Sequence, residues 1–219
     1  HPHQVSDGVD PDNLQLRTGY SQSIARPQFR ELAFAEFFNT DTDQRFQGNP
    51  YLVNPEIESY DARLEYYFGR EEFVTVGVFH KVLENPIEEY ILPTGDSLGT
   101  SFINAPEATL TGAEFEFEKV FDLSNRFDRP FFNDREWFIK TNYTYIQSEV
   151  SADGTVTIAQ GAFGQPSANV LDAAGFIDDG RALQGQSEHL FNVQLGFETF
   201  DGRARGAAGA DRYRRRPAS

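Results

Sequence analysis

Residues 58–85 read ESYDARLEYYFGREEFVTVGVFHKVLEN, two alternating arms about a turn at Gly69-Arg70-Glu71-Glu72. In the first arm Tyr60, Ala62, Leu64, Tyr66 and Phe68 fall on one face, and Ser59, Asp61, Arg63, Glu65 and Tyr67 on the other. In the second, Val74, Val76, Val78 and Val82 share a face, with Thr75, Gly77 and Lys81 opposite. A side-chain period of two on both sides of a turn predicts a β-hairpin. Each arm exceeds the usual strand of a soluble protein and is close to the roughly 9–11 residues that cross a bilayer as a tilted strand.

The rest of the chain repeats this unit. Strands are expected at Asn13–Arg26, Thr109–Phe121, Trp137–Ser148 and Gln186–Phe200. Pro27 ends the first, because proline cannot donate to a ladder. Connections alternate in length: long at 28–57, 85–105 and 149–181, short after the second and fourth strands. Long loops at one end and short turns at the other mark transmembrane barrels. The expected fold is therefore all-β, an antiparallel up-and-down barrel segment of about six strands.

Aromatic residues crowd the short-turn ends. Tyr66, Phe68, Phe73, Phe121, Trp137 and Phe197 are candidates for an interfacial girdle, which needs amphipathic rings at one height. The plainer reading is that bulky aromatics favour strands. The opposite faces carry Asp61, Arg63, Glu65, Lys81, Glu114, Glu116, Glu118 and Lys140. Charges this frequent cost a few kcal/mol each in lipid, so in a barrel they must face a hydrated lumen. In a soluble protein they would be a solvated sheet face.

Bulk properties restrict the alternatives. The 219 residues have a mean hydropathy of -0.53 and no apolar run near the length of a membrane helix. Strands that alternate lipid-facing and lumen-facing residues average out to such a value. A net charge of -15 argues against nucleic acid. The absence of cysteine removes thiol chemistry and Cys-ligated metals. The chain starts HPHQVSDGVD, without an apolar signal core, so an internal fragment is expected, with 1–12 as a fragment end. His1-Pro2-His3 is a poor copper site because Pro2 lacks the N–H that such a site deprotonates.

No P-loop, GxGxxG after a strand, GxSxG or HExxH is present. His80 and His189 lie far apart, Asp41-Thr42-Asp43 lacks the glycine and terminal glutamate of a calcium loop, and Glu114 and Glu116 have no evident pocket for glycosidase chemistry. The Asn142-Tyr143-Thr144 sequon sits inside a strand. No catalytic residue, cofactor or metal is expected. The tail from Asp201 loses the alternation and gathers Arg203, Arg205, Arg212, Arg214, Arg215 and Arg216. That composition is what a frame-shifted GC-rich reading frame yields, so residues 201–219 are expected to stand outside the barrel of residues 13–200.

The pieces RTGYSQSIARPQFREL (17–32), GNPYLVNPEIESYDARLEYYF (48–68), VGVFHKVLENPIE (76–88), FINAPEATLTGAEFEFEKVF (102–121), NYTYIQSEV (142–150) and LQGQSEHLFNVQLGFE (183–198), in this order and spacing, resemble the C-terminal barrel of TonB-dependent outer-membrane receptors. The resemblance implies part of a larger, 22-stranded barrel in the outer membrane of a Gram-negative bacterium. It implies surrounding outer-membrane lipid, an N-terminal plug domain, energy from the TonB-ExbB-ExbD complex, and uptake of a scarce small solute such as a siderophore, cobalamin or an oligosaccharide, not an enzyme. A soluble or surface β-rich carbohydrate-binding (lectin-like) module is the alternative, and the two differ in whether the apolar face meets lipid or an interior core. A β-sheet hydrolase would need its acids to converge in one cleft.

Overall fold

The computed structural model describes residues 13–39, 44–69, 71–94, 97–124, 130–161, 165–199 and 205–215. His1, His3, the Asp41-Thr42-Asp43 segment, Phe200, Arg203 and Arg216 lie outside these residues. The first elements are β1 (Leu14–Ile24), α1 (Phe29–Leu32), β2 (Glu36–Asn39), β3 (Gln44–Gln47), β4 (Glu56–Gly69) and β5 (Glu72–Glu84). Then follow β6 (Ile87–Thr94), β7 (Ser97–Asn104), β8 (Glu107–Asp122), α2 (Pro130–Asn133) and β9 (Arg135–Ser151). The last are β10 (Thr155–Gln160), β11 (Ser167–Asp172), a 3-10 turn (Ala173–Gly175), β12 (Ser187–Thr199) and β13 (Arg205–Arg215).

Seven long strands form one open sheet in the order β1-β4-β5-β8-β9-β12-β13, which is chain order, each pair antiparallel. This is the expected up-and-down arrangement. It follows from the period-two patterning, which gives the first six of these strands one apolar face and lets neighbours align those faces without crossing connections. A bulge between Tyr67 and Gly69 tightens the organising hairpin.

The sheet runs one strand farther than the sequence suggested. Residues Arg205–Arg215 pair with β12 from Glu198↔Arg205 to Ser187↔Arg215, with one register shift near His189. Residues 206–210, GAAGA, lack large side chains, so they hide the alternation, yet small residues leave the backbone free to pair.

The long connections are structured, also beyond expectation. Strands β2, β3, β7 and β6 make a second sheet, which includes the parallel pair β3–β7, and β10–β11 form a hairpin. The main hydrophobic cluster lies here and at the adjoining strand ends, not along the seven-stranded sheet. Tyr90, Ile103, Ala105, Ala108, Val150, Ala152, Val156, Ile158, Ala173 and Ile177 are buried together, with Leu83, Leu92, Leu171, Phe176 and Leu183 against them. We call this part the cap.

Candidate functional site

The register puts Asp61, Arg63, Glu65, Lys81, Glu114, Glu116, Glu118 and Lys140 on one face of the large sheet. One row runs straight across it, Gln15–Glu65–Thr75–Glu116–Asn142–Asn192–Asp211, polar on all seven strands. Within and beside that row the charges pair. Glu65, almost fully buried, lies 3.2 Å from Arg17 and 3.1 Å from Arg63, and accepts a hydrogen bond from the Tyr67 hydroxyl at 2.7 Å. Arg63 also reaches over β5 to Glu116, 3.0 Å away. Gly77 is its neighbour on β5, where a Cβ would meet Arg63 only at an ordinary 3.9 Å. Lys140 pairs with Glu118 at 2.6 Å.

Lys81 stands over the ring of Phe79, and the Asp61 carboxylate occupies the space that Gly19 leaves open on β1. Two shallow, open depressions lie along the polar row. The larger, about 260 Å³, is lined by Glu116, Glu118, Lys140, Asn142, Asn192 and Asp211, among others. The smaller, about 20 Å³, is lined by Arg63, Thr75, Gly77, Glu114, Glu116 and Asn142. Amides, carboxylates and guanidinium groups in such a strip can bind hydroxylated or charged groups through exchangeable hydrogen bonds; they do not assemble an acid/base pair in an enclosed cleft.

On the other face, large apolar side chains are exposed in number. Leu16 is 70% exposed, Val76 52%, Val78 55% and Leu195 52%, with Leu64, Phe115, Tyr143 and Phe191 beside them. Among the described residues, no hydrophobic core covers this face.

The family model described as TonB dependent receptor-like, beta-barrel, matches residues 8–218. The chain belongs to that family. A solved structure with the same fold, a double mutant of the Serratia marcescens hemophore receptor HasR in complex with its hemophore HasA and heme, aligns with a TM-score of 0.54 at 15% identity. The alignment covers 92% of the present chain and 30% of that receptor, so the chain spans less than a third of its length. No curated protein sequence matches.

Within this TonB-dependent receptor-like barrel, five of the six girdle candidates share the apolar face at the short-turn end. Tyr66 and Phe68 lie 6.1 Å apart, Phe68 stacks on Phe117, and Phe121 pairs across from Trp137, which packs on Phe197 at 5.3 Å. Phe131 and Phe132 of α2 close over Trp137. Phe73 is the exception and a correction: it keeps step with Thr75 and Gly77, opposite Tyr67 and Glu118, and its ring lies 5.9 Å from Tyr67 on the charged face. Nearness to the turn suggested it, but side-chain direction follows parity. The Glu72–Lys119 pair, 2.8 Å, sits on the apolar face at the same end, where long side chains can reach water.

Sequence reasoning missed a second set of rings at the loop end of the apolar face. Tyr20 and Tyr60 lie 5.0 Å apart, and Tyr20, Gln22 and Tyr60 all donate to Glu58. His80 bonds Thr111 at 2.8 Å, and His189 bonds Tyr143 at 2.9 Å and packs on Tyr145. The signal was available, since His80 shares parity with Val78 and Val82. These histidines are far apart in the sheet, and among the described residues no three His or acidic side chains gather as a metal site.

Arg181, also missed, pairs with the buried Glu88 in the cap at 2.6 Å. Burial pushes the Glu88 carboxyl above the ordinary range, and Arg181 pulls it back only in part.

Proposed function

We propose that the chain is a segment of a TonB-dependent outer-membrane receptor that takes up a scarce solute, a siderophore, cobalamin or oligosaccharide, and is a transporter and not an enzyme. The observation that carries this reading is the pairing of an exposed apolar face with a charged, hydrogen-bonded face on one open sheet. A lectin-like soluble module would bury the apolar face; here Leu16, Val76, Val78 and Leu195 are exposed, as lipid-facing residues must be.

In this reading the two sets of rings are interfacial girdles, with Tyr66, Phe68, Phe121, Trp137 and Phe197 at the periplasmic side. Asp61, Arg63, Glu65, Lys81, Glu114, Glu116, Glu118 and Lys140 line the lumen, where they meet the plug domain or the passing solute. The cap lies outside the cell. The edges of β1 and β13 carry unpaired backbone groups that further strands of the barrel satisfy.

The test is to express the complete reading frame that contains this segment in a Gram-negative host. Heat-modifiable migration in the outer-membrane fraction, with solute uptake abolished when the proton-motive force is dissipated, is the expected result. A water-soluble monomer that binds sugar would overturn it.

A further inference from the structure

The three long connections of a barrel can move separately or as one body. Their contacts decide which. Asn49, in the first connection, is fully buried and uses its side chain on three elements at once. Its Nδ2 donates to the Phe102 carbonyl (2.9 Å) in the second connection and to the Thr157 carbonyl (2.7 Å) in the third. Its Oδ1 accepts from the Tyr51 amide at 3.0 Å. Only an uncharged amide supplies two donors and an acceptor in that space. Further ties agree: Tyr51 donates to the Pro166 carbonyl, Arg181 to Glu88, and Gln184 to the Glu89 carbonyl.

Where the cap meets the barrel strands, the chain is broken in almost every crossing. Pro27 and Pro55 flank the first connection, Asn85 (φ 54°) with Pro86 and then Pro106 mark the second, and Gly154 (φ 139°), Gly180 (φ 76°) and Gly185 (φ 74°) lie in the third. The cap is nonetheless anchored on the strands below it: Val150 of β9 donates to the Arg181 carbonyl and accepts from the Gly180 amide, the Ser148 hydroxyl accepts from the Leu183 amide, and Ala108 and Val150 are buried in the cap's own cluster. Asn104 adds a tie between the first and second connections, donating to the Asn85 and Val53 carbonyls and accepting from the Val53 amide.

We propose that the three long connections form a single cooperative cap, fastened at Asn49, whose parts are held or lost together. Only the assignment of the cap to the outer side rests on the proposed function. The coupling itself is a property of the fold, so the test below can fail while the receptor reading stands, and the reverse.

The experiment is amide hydrogen exchange on the membrane-embedded protein, comparing wild type, Asn49→Ala and Asn49→Asp. The aspartate keeps the bond from the Tyr51 amide and loses both bonds between connections. The expected result is that protection in β6–β7 and β10–β11 falls together with that around Asn49, roughly ten- to a hundred-fold, with β4, β5 and β8 unchanged. Loss confined to the first connection in both variants would overturn the single-body cap. Should both variants misfold, Tyr51→Phe, which removes only one hydroxyl, is read the same way: a shared loss of a few-fold around Pro166 and Asn49 supports the proposal, and a change at Pro166 alone overturns it.

Discussion

Two buried glutamates show how the same residue type works differently on the two parts of the molecule. Glu65 is held by two guanidinium groups and a phenol, but Arg17 is 64% and Arg63 41% exposed, so water can replace the lost partner. Glu65→Gln is therefore expected to cost about 1–2 kcal/mol, well short of breaking a dry ion pair. A shift in the denaturant midpoint of the folded protein measures it, and loss of folding altogether would contradict the account. Glu88 has the opposite balance, because desolvation outweighs Arg181 and its carboxyl titrates above the ordinary value of about 4.5. The folded state then binds the proton more tightly than the unfolded one. Its contribution to stability is fully present below that ordinary value and is lost as pH rises through the raised one. Relative to Glu88→Gln, the wild-type cap should resist proteolysis better at pH 4 than at pH 7; an equal ratio at both would remove Glu88 as the cause. Parity made the faces of such residues legible from sequence, as Arg63 and Glu116 show. Their partners were not legible, because Arg63 meets Glu116 across an intervening strand.

At the level of elements, the long strands declared themselves and the short ones did not. Strands β4, β5, β8, β9 and β12 each keep step for ten residues or more, a signal that composition cannot mimic. Strands β2 and β3 have four residues each, and β3 pairs in parallel with β7 through Arg45↔Gly99, more than fifty positions away. No local period encodes that. The glycines of the large sheet make a sharper case. The Phe79 ring lies over Gly112 on the neighbouring strand, and the Phe138 ring over Gly196, which accounts for two aromatic side chains on a face otherwise rich in charge. A Cβ at Gly112 would also stand 2.5 Å from the Tyr145 carbonyl, and one at Gly196 would stand 2.7 Å from that of Gly206. Gly112→Ala and Gly196→Ala should each destabilise by about 1–3 kcal/mol through this overpacking. At Gly77 the first contact of a Cβ is an ordinary 3.6 Å, so Gly77→Ala should be neutral or stabilise by up to about 1 kcal/mol. Urea titrations of the three variants check the ranking, and a Gly77→Ala that is as damaging as Gly112→Ala would refute it.

For the whole molecule, the question is what solvent each face of the sheet meets. Water on both faces and lipid on one make different demands on the same substitution. Val78 lies mid-strand on the exposed apolar face, and Gln15 lies on the charged face beside Glu65. Were both faces wetted, an arginine at either position would sit in water, and each change would stay within about 0.5 kcal/mol, as exposed substitutions do. In a membrane barrel, Val78→Arg places a guanidinium in hydrocarbon and costs about 2–4 kcal/mol near the midplane, whereas Gln15→Arg stays in the hydrated interior beside both Glu65 and Arg17, whose effects oppose each other, and costs about 1 kcal/mol or less. The complete receptor, refolded into lipid vesicles and unfolded by urea, gives both numbers in one series. A cost for Val78→Arg that persists in lipid and disappears in short-chain detergent would tie the penalty to the bilayer, because the side chain's protein neighbours are the same in both. Equal and small effects in lipid would instead place water on the apolar face, and with it the lectin-like alternative.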